Sequence, residues 1–570
     1  MNTSSPHGLT ASAHRPVIMG RNGMVASAHP LASQAGIRIL MQGGNAVDAA
    51  VATAAALNVV EPHNSGIGGD GFLMIYQAQK GEISVVNATG PAPRRACRER
   101  FLKGGIPENG IASVSVPGLV DGWCLAHERY GALTLAEALE PASDLAEAGF
   151  PISHNLAQAI RDEAQLLSST SITREVYAPG GRLLQTGEHL VQKALARTFR
   201  LIGREGRDVF YRGEIGRALV RFSEQCGGLL SAEDLADYHG RWEAPIHTTY
   251  RGYRVYEAPP NSSGHVLLQE LNLIEGIDIR ALGLSTAPAI HLMVEAKRMA
   301  FADREAYMAD PDWVEVPLEG LLSKAYAAER AGLIDPMQAM TTVHAGRPEG
   351  WERVGVLDKR TGAKPGDTTC FCVVDRWGNA VCQLQSLQTD FGSGLIAGDT
   401  GIMLNNRMTY WHLEEDHVDC LMPGKRVRHT MNPVMVFSDE DLSSGASRGS
   451  SLRLVCGTPG ADTQVQTNLQ LITHIVDHGL TVQEAVEAPR WRHTANKTES
   501  TYPHTCADEL LLEARFPEDV RAGLAAKGHA LNILDAWGAI GNAQAIMVDP
   551  DTSALMGGSD PRRDGYAIGW

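Results

Sequence analysis

The sequence predicts a soluble protein of the α+β class, and three observations carry that expectation. Hydrophobic residues (44%) and charged residues (20%) stand in the proportion of a globular chain, and no apolar run is long enough to span a membrane. Helical periodicity dominates the first part, through most of residues 130 to 230 and again from Ala287 to Tyr307. After about residue 367 the pattern changes to short strands separated by glycine turns. At 570 residues the chain can bury a large core, as several ordinary domains or as one domain wound around more than one sheet.

Taken in order, the N-terminal MNTSSPHGLTASAHRPVIMG is polar and lacks the apolar core of a signal peptide, so residues 1–20 read as the disordered leader of a cytoplasmic protein. Leu31 to Gln42 spaces Ile37, Leu40 and Met41 for one buried helix face, and Gly43-Gly44 stops it. Asn45 caps a second, alanine-rich helix with Asp48 in its first turn. GIGGDG, Gly66 to Gly71, leads into a strand at Phe72 to Gln77. A phosphate-binding loop would instead join a strand to a helix and continue with Gly-Lys-Ser/Thr. Tyr256 to Gly276 turns at Pro259-Pro260 and opens a helix capped by Asn261 or Ser262. The helix over Ala287 to Tyr307 ends at Asp310-Pro311. Residues 340 to 367 have the composition of an exposed linker, and Ser438 to Ser450 that of a hairpin loop.

A net charge of -16 without a long Lys/Arg cluster argues against a nucleic-acid partner. The nine cysteines fit neither a disulfide framework nor a paired metal site, and Cys370 and Cys372 read as reduced core residues. In HLEEDHVDC, His412 and His417 are five apart and share no helix face, so the stretch reads as an acidic surface loop without a metal. His265, His291 and His474 sit in helical patterns as core or surface residues.

GDTTCFCVVDRWGNAVCQLQS, Gly366 to Ser386, reads as one hairpin turning at Asp375 to Asn379. Residues whose numbers sum to 754 then face each other, which pairs Thr368 with Ser386 on the face of Cys370, Cys372, Cys382 and Leu384. Threonine and serine often do no more than begin and end strands. A hydroxyl at a strand start behind a flexible linker is also suited to become an N-terminal nucleophile once the linker is cut. Its own α-amine, with a reference pKa of about 7.7 to 8, would then serve as the base.

TTCFCVVDRWGNAV, FGSGLIAGDTGIMLNN, CGTPGAD and GGSDPRRDG, with the earlier GMVASAHPLASQAGIRILMQGGNAVDAAVA, resemble the γ-glutamyltransferase (glutathione hydrolase) family of N-terminal nucleophile hydrolases. The resemblance runs in order from about Gly23 to the C-terminus. It implies a four-layer αββα sandwich, made as a precursor that cuts itself between Asp367 and Thr368 into a large subunit (21–367) and a small one (368–570). It implies further that Thr368 attacks the Asp367 carbonyl, passes through an ester and emerges as the new N-terminus, with Ser386 supporting it. Gly460 and Ala461 match the pair whose backbone N–H groups hold the oxyanion. Alanine keeps that N–H provided its φ need not be positive. No cofactor is implied.

The pattern departs where the family grips an α-amino acid. Thr89 stands at the position of the arginine that holds the α-carboxylate, His429-Thr430 replaces two adjacent serines, and Gln388, Arg407 and Tyr410 occupy the amine-binding positions. An ammonium beside Arg407 would be repelled, whereas a carboxylate would be held bidentately. This constellation resembles the family's divergent amidohydrolases, such as glutaryl-cephalosporin acylases and oxamate amidohydrolases. The short segment between Asn406 and His429 favours hydrolysis over transfer. The expectation is a self-processing threonine amidohydrolase acting on an amide whose acyl part carries a free carboxylate (glutaryl-, oxamate- or γ-glutamyl-like). An authentic γ-glutamyltransferase is the alternative, and an uncleaved, non-catalytic homologue the third reading. The partners expected are a small-molecule amide and the two fragments of the precursor, with a homodimer of processed heterodimers as the assembly considered.

Overall fold

The computed structural model describes residues 13–350, 367–438, 452–501 and 504–570. The alternation of the strands decides the layers, because successive side chains leave opposite faces of a sheet. One seven-stranded antiparallel sheet runs Tyr566–Gly569, Gly23–Ser27, Asp367–Asp375, Ala380–Gln388, Asp70–Gln77, Glu82–Ala88, Arg241–Glu243. The other runs Ile18–Gly20, Leu555–Ser559, Gln544–Val548, Leu452–Gly457, Val434–Ser438, Tyr253–Glu257, Ile246–Tyr250. Between them lies an apolar layer in which Phe72, Cys370, Cys372, Cys382 and Leu384 meet Met435, Phe437, Val455 and Ile546. Phe371, Val373 and Val381 point the other way, into a core closed by the helices Pro30–Met41 and Ala46–Val60. Helices Gly264–Ile274, Ala287–Tyr307 and Thr463–Val476 cover the outer face of the second sheet. The result is the four-layer αββα sandwich.

Local chemistry explains the elements that position the site. Asn45 and Asp48 form a reciprocal capping box, and all fifteen residues of the helix Ala46–Val60 are buried, which its small side chains allow. Helix Gly264–Ile274 starts one residue later than a Ser262 cap, and two later than an Asn261 cap, would place it. Ser263 takes the N-cap position without a side-chain cap, because its hydroxyl donates to the His429 carbonyl instead (2.7 Å). Of the leader expected over residues 1–20, residues 1–12 lie outside the described residues, whereas Ile18–Gly20 is an edge strand and Arg15 donates to the Gly565 carbonyl. Most of the expected linker (351–366) and nearly all of the expected 438–450 hairpin loop lie outside the described residues. Among the described residues no helix is long and apolar enough to cross a membrane.

Candidate active site

The hairpin pairs in the expected register from Thr369–Gln385 to Val374–Ala380, with an irregularity between Asp367 and Thr369. At that irregularity the Thr368 hydroxyl donates to Ser386 Oγ (3.3 Å), and Ser386 Oγ accepts the Gln388 N–H (2.8 Å). The neighbouring threonine leaves by the opposite face: Thr369 Oγ1 donates to Glu61 (2.7 Å), the C-cap residue of helix Ala46–Val60. Adjacent hydroxyls thus have separate roles, one tying the strand to a helix and the other standing beside Ser386.

Strand Leu452–Gly457 crosses directly over the hairpin. A Cβ on Gly457 would lie 2.6 Å from Cys370 Sγ, so glycine is the residue that permits the approach. Beyond it the chain turns through Gly460 (φ +117°) and Ala461 (φ +48°) into the helix Thr463–Val476. The carbonyls of this turn are used, Gly460 accepting from Thr463 (2.9 Å) and Ala461 from Gln464 (3.1 Å). The N–H groups of Gly460 and Ala461 make no hydrogen bond among the described residues. Two unsatisfied donors at a helix N-terminus are suited to an oxyanion. The condition placed on Ala461 is not met, since its φ is positive, and the site carries that strain in a buried residue. Asp462 anchors the turn, bonding Arg304 and both the N–H and the hydroxyl of Ser500 (2.8 Å each). Burial alone would raise its pKa, but Arg304 and these bonds outweigh it and hold the carboxyl at about 2.

Beside Ser386 the structure places a residue the sequence reading passed over. Asp70 pairs with Ser386 across the strands Asp70–Gln77 and Ala380–Gln388, so the two side chains share a sheet face. Its carboxylate accepts from Nε and Nη2 of Arg407 (3.0 Å each) and from Nε2 of His429 (3.0 Å). All three side chains are buried. Burial pushes the Asp70 pKa up, but Arg407 and His429 together bring it below the ordinary carboxylate value. Burial and then Arg407 lower His429 to about 4, so its ring is neutral near pH 7. The Nε/Nη2 edge of Arg407, expected to be open to a substrate carboxylate, is therefore occupied by Asp70, which leaves the Nη1/Nη2 edge. Nη1 of Arg407, Nδ1 of His429 and Oε1 of Gln388 have no hydrogen-bond partner among the described residues.

Of the other residues singled out in the sequence, Tyr410 lies under the Arg407 guanidinium (4.7 Å to the ring centroid) and its hydroxyl is 3.4 Å from that of Thr430. Gln388 Nε2 donates to Thr501 (3.3 Å), which brings a distant loop to the site. Thr89 is linked less directly. Its hydroxyl donates to Asn87 (2.6 Å) and accepts from Asn261 (3.2 Å), whose carbonyl accepts the His429 N–H (2.6 Å). Asp367 begins the strand opposite Gln388.

The acidic surface loop expected at His412 to Cys420 is only half a surface. Glu415 and Asp416 are exposed, while His412, His417 and Asp419 are buried. The His412 ring stacks on those of His417 (3.5 Å) and His504 (3.6 Å). Glu305, His412 and His417 gather their ligand atoms within 4.8 Å of one another, but the set does not fit a metal. His417 Nδ1 accepts the Asp419 N–H (3.0 Å), which leaves the proton on Nε2, the nitrogen that would have to ligate. Glu305 is already held by Arg304 and by Arg428 (2.7 Å), two cations that a metal would have to displace.

Comparison with known proteins agrees with this geometry. A family model described as gamma-glutamyltranspeptidase matches residues 32–570. The chain is 37% identical over 560 residues to a "Glutathione hydrolase-like YwrD proenzyme" of Bacillus subtilis (strain 168), covering 97% of this chain and 99% of the relative. It is 38% identical over 563 residues to an "Acylase ACY 1 proenzyme" of Pseudomonas sp. (strain SE83), covering 96% and 94%. The crystal structure of a cephalosporin acylase from Bacillus halodurans superposes with a TM-score of 0.87 at 34% identity, covering 100% of this chain and 99% of that one. With a family match that reaches the last residue, relatives of nearly the same length and a shared sandwich, the chain belongs to the γ-glutamyltranspeptidase family of N-terminal nucleophile hydrolases.

Proposed function

We propose that the chain is a self-processing threonine amidohydrolase whose acyl substrate ends in a carboxylate. The observation that carries this reading is Thr368 at a strand start, its hydroxyl 3.3 Å from that of Ser386, in a hairpin crossed by the strand that leads to two N–H groups unpaired among the described residues. In processing, Thr368 Oγ attacks the Asp367 carbonyl, the C–N bond breaks to leave an ester, and water releases Asp367 as a carboxylate and Thr368 with a free α-amine. That amine takes the Thr368 hydroxyl proton as Oγ adds to the substrate carbonyl. The N–H groups of Gly460 and Ala461 hold the resulting oxyanion, and the proton passes to the departing amine. Water then hydrolyses the acyl ester by the same groups. The fragments stay together, because the new N-terminus begins a strand laddered between Gly23–Ser27 and Ala380–Gln388.

Intact mass spectrometry tests the reading. The wild type is expected as residues 1–367 and 368–570, and Thr368→Ala as one uncut, inactive chain with unchanged circular dichroism. Cleavage at Asp367 in Thr368→Ala, or turnover by it, would sink the assignment.

A second reading, a γ-glutamyl acyl group, is favoured by the acceptors Gln388 Oε1 and His429 Nδ1, which an α-ammonium could satisfy. A wild type with a higher kcat/KM for γ-glutamyl- than for glutaryl-p-nitroanilide would replace the first reading with this one.

A further inference from the structure

An arginine alone in an acyl pocket would select dianionic acyl chains, but Arg407 is not alone. Asp70 takes two of its donor nitrogens, and the geometry also fixes the state of His429. Nε2 of His429 faces the Asp70 carboxylate at 3.0 Å and must carry a proton to bond it. Among the described residues a second proton on Nδ1 would be buried without an acceptor next to a guanidinium, so Nδ1 is an acceptor. Asp70, Arg407 and neutral His429 therefore sum to zero charge. What they leave over is the end of the Arg407 fork, both N–H groups of Nη1 with the second of Nη2, and one acceptor, Nδ1 of His429. Tyr410 and Thr430 add two hydroxyls that can donate or accept.

Resting on the acyl-enzyme reading above, we propose that Asp70 is the positioning residue that sets acyl specificity. By neutralising Arg407 and orienting both it and His429, it makes the pocket accept a terminal carboxamide about as well as a terminal carboxylate. The carboxamide oxygen accepts from Arg407 Nη1 and its N–H donates to His429 Nδ1. A carboxylate gains charge assistance from Arg407 but has no proton for His429 Nδ1, so the two acyl ends come out close. The substrate class widens to amides of dicarboxylic acids and of their half-amides.

The test compares kcat/KM for glutaryl-p-nitroanilide and its isostere 4-carbamoylbutanoyl-p-nitroanilide, using the processed enzyme. The wild type is expected to turn over both, with a ratio within about tenfold. In Asp70→Asn the freed, uncompensated Arg407 should move the ratio toward glutaryl by about tenfold or more, chiefly through a lower KM for glutaryl. The double variant Asp70→Asn/Arg407→Gln, which removes both charges, should return it. A purely structural Asp70 would lower both activities together and leave the ratio where it was. A wild-type preference for glutaryl beyond about tenfold overturns the role of Asp70 even if the variants do not fold, as does an unchanged ratio in a folded Asp70→Asn. Turnover of neither compound, with processing intact, overturns the underlying acyl-enzyme reading as well.

Discussion

Two glycine-rich loops flank the nucleophile hairpin, and each carries a buried aspartate held by a buried arginine. Gly66 to Gly71 contains Asp70, bonded to Arg407, and Gly457 to Asp462 ends in Asp462, bonded to Arg304. Their glycines nevertheless answer different needs. In the first loop Gly68 and Gly69 have no positive φ; a Cβ on them would strike the carbonyl oxygens of Met403 and Ser386. The loop's own carbonyls are taken, Gly68 O by Asn405 (2.8 Å) and Gly69 O by Gly118 (2.9 Å). In the second loop Gly460 needs its positive φ, and the conformation leaves two N–H groups unpaired among the described residues. The same composition brings backbone close in one place and frees backbone donors in the other, so glycine content alone separates neither from a phosphate loop.

The largest effect should come from breaking the close approach. Gly69→Ala forces its methyl into the Ser386 carbonyl, and the strand that carries the Ser386 hydroxyl must shift. Since Thr368 depends on that hydroxyl, a displacement on the order of 1 Å should cost about 100-fold or more in processing and turnover alike. Mass spectrometry and a p-nitroanilide assay read it. A fully processed variant with wild-type turnover would mean that the loop yields and glycine is not required for packing.

Next in size is the anchor of the second loop. Asp462→Asn leaves Arg304 with Glu305 as its remaining carboxylate and loosens Ser500, at a cost of about 3 kcal/mol or more in stability. The folded-state pKa of Asp462, about 2, lies below the ordinary 3.8, so its contribution is present above the higher value and lost as pH falls through the lower. The Tm gap between wild type and Asp462→Asn should therefore hold down to about pH 4 and close toward pH 2. The glutaryl-to-carboxamide ratio should not move, in contrast with Asp70→Asn. A gap independent of acid, or a changed ratio, would erase the distinction drawn between the two aspartates.

Much of the hairpin was legible because strand periodicity is local. Alternation from Thr369 to Val374 gave the register, and the turn at Asp375 to Asn379 centred it. The capping of Ala46–Val60 was legible for the same reason, with Asn45 and Asp48 three residues apart. What joins distant segments was not. Asp70 and Arg407 are separated by 337 residues, and neither position hints at the other until the sheet places Asp70 beside Ser386. The reading of Arg407 as an uncompensated cation failed there, because a charge counted in sequence has no knowledge of its counter-ion. The stretch from His412 to Cys420 failed differently. Its exposed Glu415 and Asp416 set the composition while His412, His417 and Asp419 are buried.

The smallest expected effect falls on Ala461, where the resemblance placed a condition that the structure breaks. At φ +48° an alanine pays the left-handed penalty of about 1 kcal/mol, and glycine would relieve it. Glycine also brings about 0.4–1 kcal/mol of extra unfolded-state freedom, so Ala461→Gly should change stability by less than about 1 kcal/mol in either direction. Turnover should follow the N–H, which both residues carry, and not the methyl. With Gly460 unchanged and the N-terminal end of helix Thr463–Val476 intact, kcat/KM should stay within about threefold of wild type, against the 100-fold or more expected for the loss of an oxyanion donor. A larger fall in Ala461→Gly, in a processed enzyme of unchanged Tm, would show that the buried methyl shapes the acyl pocket and that the second loop, like the first, acts through packing.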